Sequence, residues 1–302
     1  MQMNIFKRPI AKKKEKITPL SIVIVIFLIL YCLAIITLLL WGFVSAFKDN
    51  NTDFAINPIG LPKQWVTDNF QNVFNLFYIP IESEAGTSYV MLPQLFLYGF
   101  LYALGCAFAA SIVPCITGYL CAKFNYKFSK LIYLIVVIAM ILPIVGNLPA
   151  EISMAKTFGL FDQIWGMWIL KANFLGLYFI VFYNYFKALP DAYIEAAKID
   201  GASNMRILLQ LILPMVRPLF FTVMLINFIN FWNDYQVPLI YLEHYPTIAV
   251  GMFNMATTNI NSLSNIPARM AAACLMLTPV LIIFLAFHKK LLGNLTMGGI
   301  KG

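Results

Sequence analysis

The chain has 302 residues, of which 61% are hydrophobic and 11% charged, whereas soluble globular domains carry about a quarter charged residues. That composition excludes a soluble globular protein and calls for an all-α polytopic membrane protein. The formal net charge of +8 gathers at particular loops and so reports topology, not nucleic-acid binding.

A hydrocarbon layer of roughly 30 Å needs about 20 apolar residues per helix, and six such runs occur. Residues 1–17 form a basic tail with Lys7, Arg8, Lys12, Lys13, Lys14 and Lys16. The first span, 18–47, follows. A signal-peptide core has about 7–15 apolar residues; this run is far longer and is expected to remain as an anchor despite the small-residue pattern Val44-Ser45-Ala46. The second span is 95–122, followed by Lys123, Lys127 and Lys130 and then by the third, 131–150. The fourth, 164–186, contains Lys171; the fifth, 218–240, contains Asp234; the sixth, 266–287, starts near Arg269, and 288–302 form a second tail. Cytoplasmic flanks of spans are enriched in Lys and Arg. With Lys187, Lys198, Arg206, Arg217, Lys289, Lys290 and Lys301, sixteen of the 21 basic residues fall on one side, so both termini and the 188–217 loop are expected in the cytoplasm. Acidic residues such as Asp49, Glu82, Glu151, Asp162 and Glu243 dominate the other side.

The five cysteines lie in apolar runs without CxxC spacing, and His244 and His288 fall on opposite sides of the membrane, so neither a disulfide framework nor a metal site is expected. Gly293 and Gly298 have the spacing of a phosphate loop, but Gly299 occupies the position of its lysine and no strand precedes it. No catalytic residues and no cofactor are expected in this chain; any ATP with its Mg would be bound by a partner.

The segment between spans four and five, ALPDAYIEAAKIDGASNMRILLQLILPMVRP, carries Asp191, Glu195, Lys198, Asp200, Arg206 and Arg217, too many charges for hydrocarbon. Good helix formers precede Gly201, a residue suited to a left-handed helix cap. A second helix is expected over 203–213, with Ile207, Leu208, Leu211 and Ile212 as an apolar stripe, before Pro214 opens the fifth span. The small pair Ala196-Ala197 allows close approach of another surface, and Glu195 offers a carboxylate to a basic group.

Glu195-Ala196-Ala197, Gly201 four residues on, and Leu211, Leu213 and Pro214 resemble the EAA loop of ABC importer permeases, with Leu211 in place of the usual isoleucine. LPDAYIEAAKIDGAS and FWNDYQVPLIYL are similar to segments of the carbohydrate, maltose-type permeases, and LLGNLTMGGIKG resembles their C-terminal ending, with Asn294 replacing its first glycine. The resemblance covers the second half of the chain by motif and the first half by topology. It implies a coupling helix formed by Glu195, Ala196, Ala197, Asp200 and Gly201 with Leu213 and Pro214 behind it. It also implies a tail reaching the ATPase through Thr296, Gly298 and Lys301. The implied partners are a second homologous permease, a cytoplasmic ATPase dimer, an extracytoplasmic solute-binding protein and a carbohydrate. The 241–265 loop, starting His244-Tyr245-Pro246-Thr247, is similar to the one that meets the binding protein.

In the fifth span, Asn227, Asn230, Trp232, Asn233 and Asp234 place polar and aromatic groups in an apolar run. They serve either as interhelical hydrogen-bond partners or as part of a translocation path, and Arg269 is a candidate partner for Asp234. An ion-coupled secondary transporter is the alternative reading. It would need its own ion site and often an internal repeat, neither of which is evident.

Overall fold

The computed structural model describes residues 18–83, 86–124, 126–142, 146–257, 263 and 265–295. Helix α1 (Pro19–Ala46) begins where the Thr18 hydroxyl accepts from Ser21 N at 3.2 Å. Its Ile, Leu and Val side chains cover the whole circumference and stay exposed over residues 20–40, the pattern of a helix meant for an apolar surround. A π turn at Asn50–Phe54 follows. The Asp49 carboxylate accepts from Asn51 N, Thr52 N and Thr52 Oγ, and these donors, Thr52 first, hold it below the ordinary carboxylate range. Helix α2 (Asp68–Leu76) is tied back to the end of α1 by Asn69 Nδ2, which donates to Ala46 O and Lys48 O.

Strands β1 (Tyr78–Ser83) and β2 (Gly86–Met91) pair antiparallel, from Tyr78 opposite Met91 to Ser83 opposite Gly86. The expected all-α class is therefore corrected to a mainly helical fold that, among the described residues, includes one hairpin. The cause is local: Ile79, Ile81 and Val90 bury one face, Tyr78 and Tyr89 make an edge-on pair across the strands, and Gly86 adopts φ +119 at the turn.

Helix α3 (Leu92–Lys123) is the axis of the fold. Small residues let its neighbours come close: a Cβ on Gly118 would stand 3.1 Å from both Phe182 Cβ and Tyr183 N, and one on Gly99 would stand 3.2 Å from Ile248. After α3 come α4 (Lys127–Ile141) and α5 (Leu148–Thr157), then α6 (Ile164–Leu170) and α7 (Leu177–Ala188). The third and fourth spans, expected as continuous helices over 131–150 and 164–186, are thus each broken. Pro143 in the sequence has no N–H to continue α4, and Pro149 sits in the first turn of α5. Between α6 and α7 the chain runs through Lys171, Asn173 and Gly176, poor material for a continuing apolar helix.

The polar segment forms α8 (Ala192–Ile199) and α9 (Asn204–Ile207). Contrary to the expected separate second helix, α9 passes through a π turn at Leu208–Ile212 directly into α10 (Leu213–Asn233), giving one helical run over Asn204–Asn233. Pro214 follows the π turn directly, in the first turn of α10, and Pro218 sits inside. Helix α10 packs along α3, and α7 packs on another side of α3. The chain closes with α11 (Gln236–Tyr241), α12 (Ile248–Thr257) and α13 (Ile266–Leu295), the last packed against α1 and α2. Among the described residues, four helical runs can cross a membrane by length and composition: α1, α3, Asn204–Asn233 and Ile266–Ala286 of α13. Gly293 and Asn294, expected in the 288–302 tail, are in the last turn of α13. Thr296, Gly298 and Lys301 lie outside the described residues, as does most of the loop tip at 258–262.

Candidate functional site

Helix α8 is short and leans on the rest by one edge. Ile194 and Ala197 pack on the cluster formed by Cys115, Tyr119, Phe182, Phe186, Ile207, Ile212 and Val216, while Glu195, Ala196 and Asp200 are exposed. Asp200 is the C-cap, and Gly201 follows at φ +78. Gly201 N donates to Lys198 O and Ala202 N to Ala197 O, both at 3.0 Å. This is the paired closure of a Schellman motif, which needs the left-handed conformation at Gly201. Nothing lies within 4 Å of a Cβ placed on Gly201. Ser203 then caps α9, its Oγ accepting from Arg206 N, and Leu213 and Pro214 are half-buried at the start of α10. Apolar side chains stand out beside the carboxylate: Tyr193 and Met205 are exposed, and Ile199 is 86% exposed. The helix thus presents bare apolar groups around an exposed carboxylate, the kind of chemistry that suits contact with another surface.

A latch holds this surface in place that spacing alone did not show. Lys123, the last residue of α3, donates from Nζ to Leu189 O at 2.6 Å and to Asp191 Oδ1 at 2.7 Å. The lysine side chain is buried and the aspartate exposed, so the carbonyl bond at the end of α7 is the better-shielded of the two. Tyr185 of α7 donates to Met215 O at 2.7 Å, joining α7 to the start of α10. The signal for the latch in sequence was only a lysine at the end of one run and an aspartate at the start of a loop 68 residues later.

The polar residues of the fifth span separate into two sets. Asn227 is buried; its Nδ2 donates to Ser111 Oγ at 3.0 Å, and Ser111 donates on to Ala107 O at 2.7 Å. Trp232 is buried against Phe228 and Phe96 and donates from Nε1 to Met276 O at 3.1 Å. Both join helices. Asn230 and Asn233 are exposed, Asn233 bonding its own helix at Ile229 O. Asp234 is not inside a helix at all. It is the C-cap of α10, just before α11, its Oδ1 accepting from Gln236 N and Val237 N and its Oδ2 from the Tyr102 hydroxyl at 3.0 Å. No bond joins Asp234 to Arg269, whose buried Nε has no partner among the described residues.

Two further features lie towards the α11 end. Asp162, at φ 56, accepts from His244 N at 2.9 Å and meets His244 Nδ1 at 2.6 Å, while its own N–H donates to Tyr241 O at 2.8 Å. Between α5, α6 and α11 there is a cavity of about 180 Å³ faced by Glu151, Lys171, Asn173 and Tyr241.

The family model described as "Binding-protein-dependent transport system inner membrane component" matches residues 115–293. The "Diacetylchitobiose uptake system permease protein NgcG" of Streptomyces coelicolor is 26% identical over 275 residues, covering 90% of this chain and 86% of the relative. The "Melibiose/raffinose/stachyose import permease protein MelC" of Bacillus subtilis is 26% identical over 191 residues, 62% of this chain and 68% of the relative. Among solved structures, a chain of a bacterial ABC transporter involved in the import of the acidic polysaccharide alginate superimposes with a TM-score of 0.71 at 20% identity, covering 89% of this chain and 95% of that one. The matched stretch runs from the last third of α3 to the last turn of α13 and includes α8 with its glycine-capped turn; the chain belongs to the family of inner membrane components of binding-protein-dependent transport systems.

Proposed function

We propose that this chain is one of two homologous transmembrane subunits of an ATP-driven carbohydrate importer, making half of the translocation path and transmitting ATP hydrolysis from a separate ATPase dimer. The six crossings are α1, α3, the α4–α5 pair, the α6–α7 pair, α10 and α13, with both termini and α8 in the cytoplasm. The basic flanks support that orientation. Glu195, Ala196, Ala197, Asp200 and Gly201 form the surface that enters the ATPase, and Leu213 and Pro214 connect it to α10. The tail residues Thr296, Gly298 and Lys301 touch the ATPase pair, which binds ATP and Mg. The loop after α11 meets the solute-binding protein. Asn230, Asn233 and Asp234 border the path, with Asn227 and Trp232 holding α10 against α3 and α13. The sugars in the names of the relatives support a carbohydrate as solute.

The observation that carries this reading is the exposed, glycine-closed α8 with Ile199 bare beside Glu195. An ion-coupled transporter is disfavoured because Asp234, the acid in the fifth span, already has its oxygens engaged by Tyr102 and two backbone amides. The test is co-purification of the ATPase with the permease pair, read with solute uptake. Gly201→Asp puts a side chain into a left-handed turn at a cost of about 1 kcal/mol and adds charge to the docking face. Glu195→Lys reverses the charge there. Both are expected to abolish uptake and weaken ATPase retention while the two permeases stay associated. Full uptake and full retention in both variants reject the coupling role.

A further inference from the structure

The break between α6 and α7 has a property that packing does not account for. Helix α7 is 12 residues long, so at ~1.5 Å per residue the 171–176 segment lies ~18 Å above Ala188, inside a hydrocarbon layer of ~30 Å. Non-helical backbone at that depth persists only where it is buried in protein or lines a polar, water-filled space. Ala172, Asn173 and Leu175 are exposed, so burial within this chain is not the answer.

Lys171 and Asn173 instead face two adjoining cavities, of about 180 Å³ and 100 Å³. In the larger one they look across at Glu151 and Tyr241, with Met154 and Met167 forming an apolar side. The acceptor is held in place from behind: Asn147 Nδ2 donates to Glu151 Oε1 at 2.6 Å, and the Tyr241 hydroxyl donates to Oε2 at 3.3 Å. Glu151 and Lys171 do not form an ion pair; among the described residues the ion pairs are Lys123 with Asp191 and His244 with Asp162. Facing opposite charges, one of them within the fourth crossing, would lower their energy by closing on each other. Held apart across a cavity, they leave room for something that both can hydrogen-bond.

We infer that this cavity is a solute subsite for a neutral, multiply hydroxylated sugar unit. The lysine donates to one hydroxyl, the carboxylate accepts from another, Asn173 does either, and the methionine side receives the C–H face of the ring. The opposed charges of Lys171 and Glu151 cancel, so an anionic sugar or phosphate ester would gain at the lysine what it loses at the carboxylate. The inference rests on the importer reading and concerns residues outside the fifth-span polar set.

The experiment uses the detergent-purified complex of both permeases with the ATPase, without binding protein. Binding of raffinose, diacetylchitobiose and stachyose as neutral probes, and of an alginate trisaccharide as the acidic probe, is followed by native mass spectrometry. At least one neutral probe is expected to bind the wild type. Lys171→Met and Asn173→Ala, each checked for retained ATPase, should weaken it by about tenfold, and Glu151→Gln should shift preference towards the acidic probe. No neutral probe bound, unchanged binding in both variants, or stronger binding of the acidic probe by the wild type would overturn the assignment. A complex that fails to retain ATPase even as wild type counts against the importer reading itself and is seen before any sugar is added.

Discussion

Glycine at two positions of this chain does opposite jobs. Gly201 is required by its backbone angle, φ +78, with open space around it. Gly166 in α6 is required by space: a Cβ there would run into the backbone carbonyl of Leu160, which cannot move aside as a side-chain tip can. Gly166→Ala should therefore overpack the α5–α6 corner and destabilise the protein by about 1–3 kcal/mol, seen as a lower thermal midpoint of the purified protein. Gly201→Ala should lower the midpoint less, through the strain of the left-handed turn alone at about 1 kcal/mol, and act chiefly on ATPase retention. Equal midpoints for the two variants would mean that the corner yields more easily than its backbone contact suggests.

Among elements, the connection between α5 and α6 is hydrogen-bonded to that between α11 and α12 through Asp162. Asp162 supplies its carboxylate to His244 N and His244 Nδ1 and its N–H to Tyr241 O, from a left-handed conformation that Asp and Asn tolerate far better than Ala. Asp162→Asn should keep the turn and its bond to His244 N, whereas Asp162→Ala should lose both, costing about 1–2 kcal/mol locally. Hydrogen exchange of the amides at 242–247 is the measurement: several-fold faster in the Ala variant and nearly unchanged in the Asn variant. Equal exchange in the two would show that the loop is held by the packing of Leu242 and Thr247, which are themselves buried.

For the whole molecule, sidedness is the property on which the rest depends. If α8 faces the cytoplasm as proposed, a single cysteine at Ser203, on a background lacking the five native cysteines, should resist an impermeant thiol reagent added to intact cells. A cysteine at Glu82 of the exposed hairpin should react. Labelling of Ser203→Cys from outside would invert the topology. Removal of residues 296–302 should lower uptake more than abundance, as assayed by quantitative blotting; normal uptake would show the tail to be dispensable.

Membrane residence, family and the position of the glycine-closed helix α8 were legible in the residues themselves. Apolar runs are read against a bilayer thickness, and a glycine-closed helix between charged flanks depends on contacts within a few residues, as at Gly201, Lys198 and Ala197. What only the tertiary structure decided were the interruptions and the partners. Hydropathy averages over a window, so the α6–α7 break at Lys171 merged into one apolar run, and a hairpin of six-residue strands at 78–91 left no such run at all. The roles of Asn227 and Asp234 turned on Ser111 and Tyr102, which lie 116 and 132 residues away in the chain. Periodicity assigns a residue to a helix face; which polar group arrives opposite that face is set by how α3 crosses α10, and that is a property of packing.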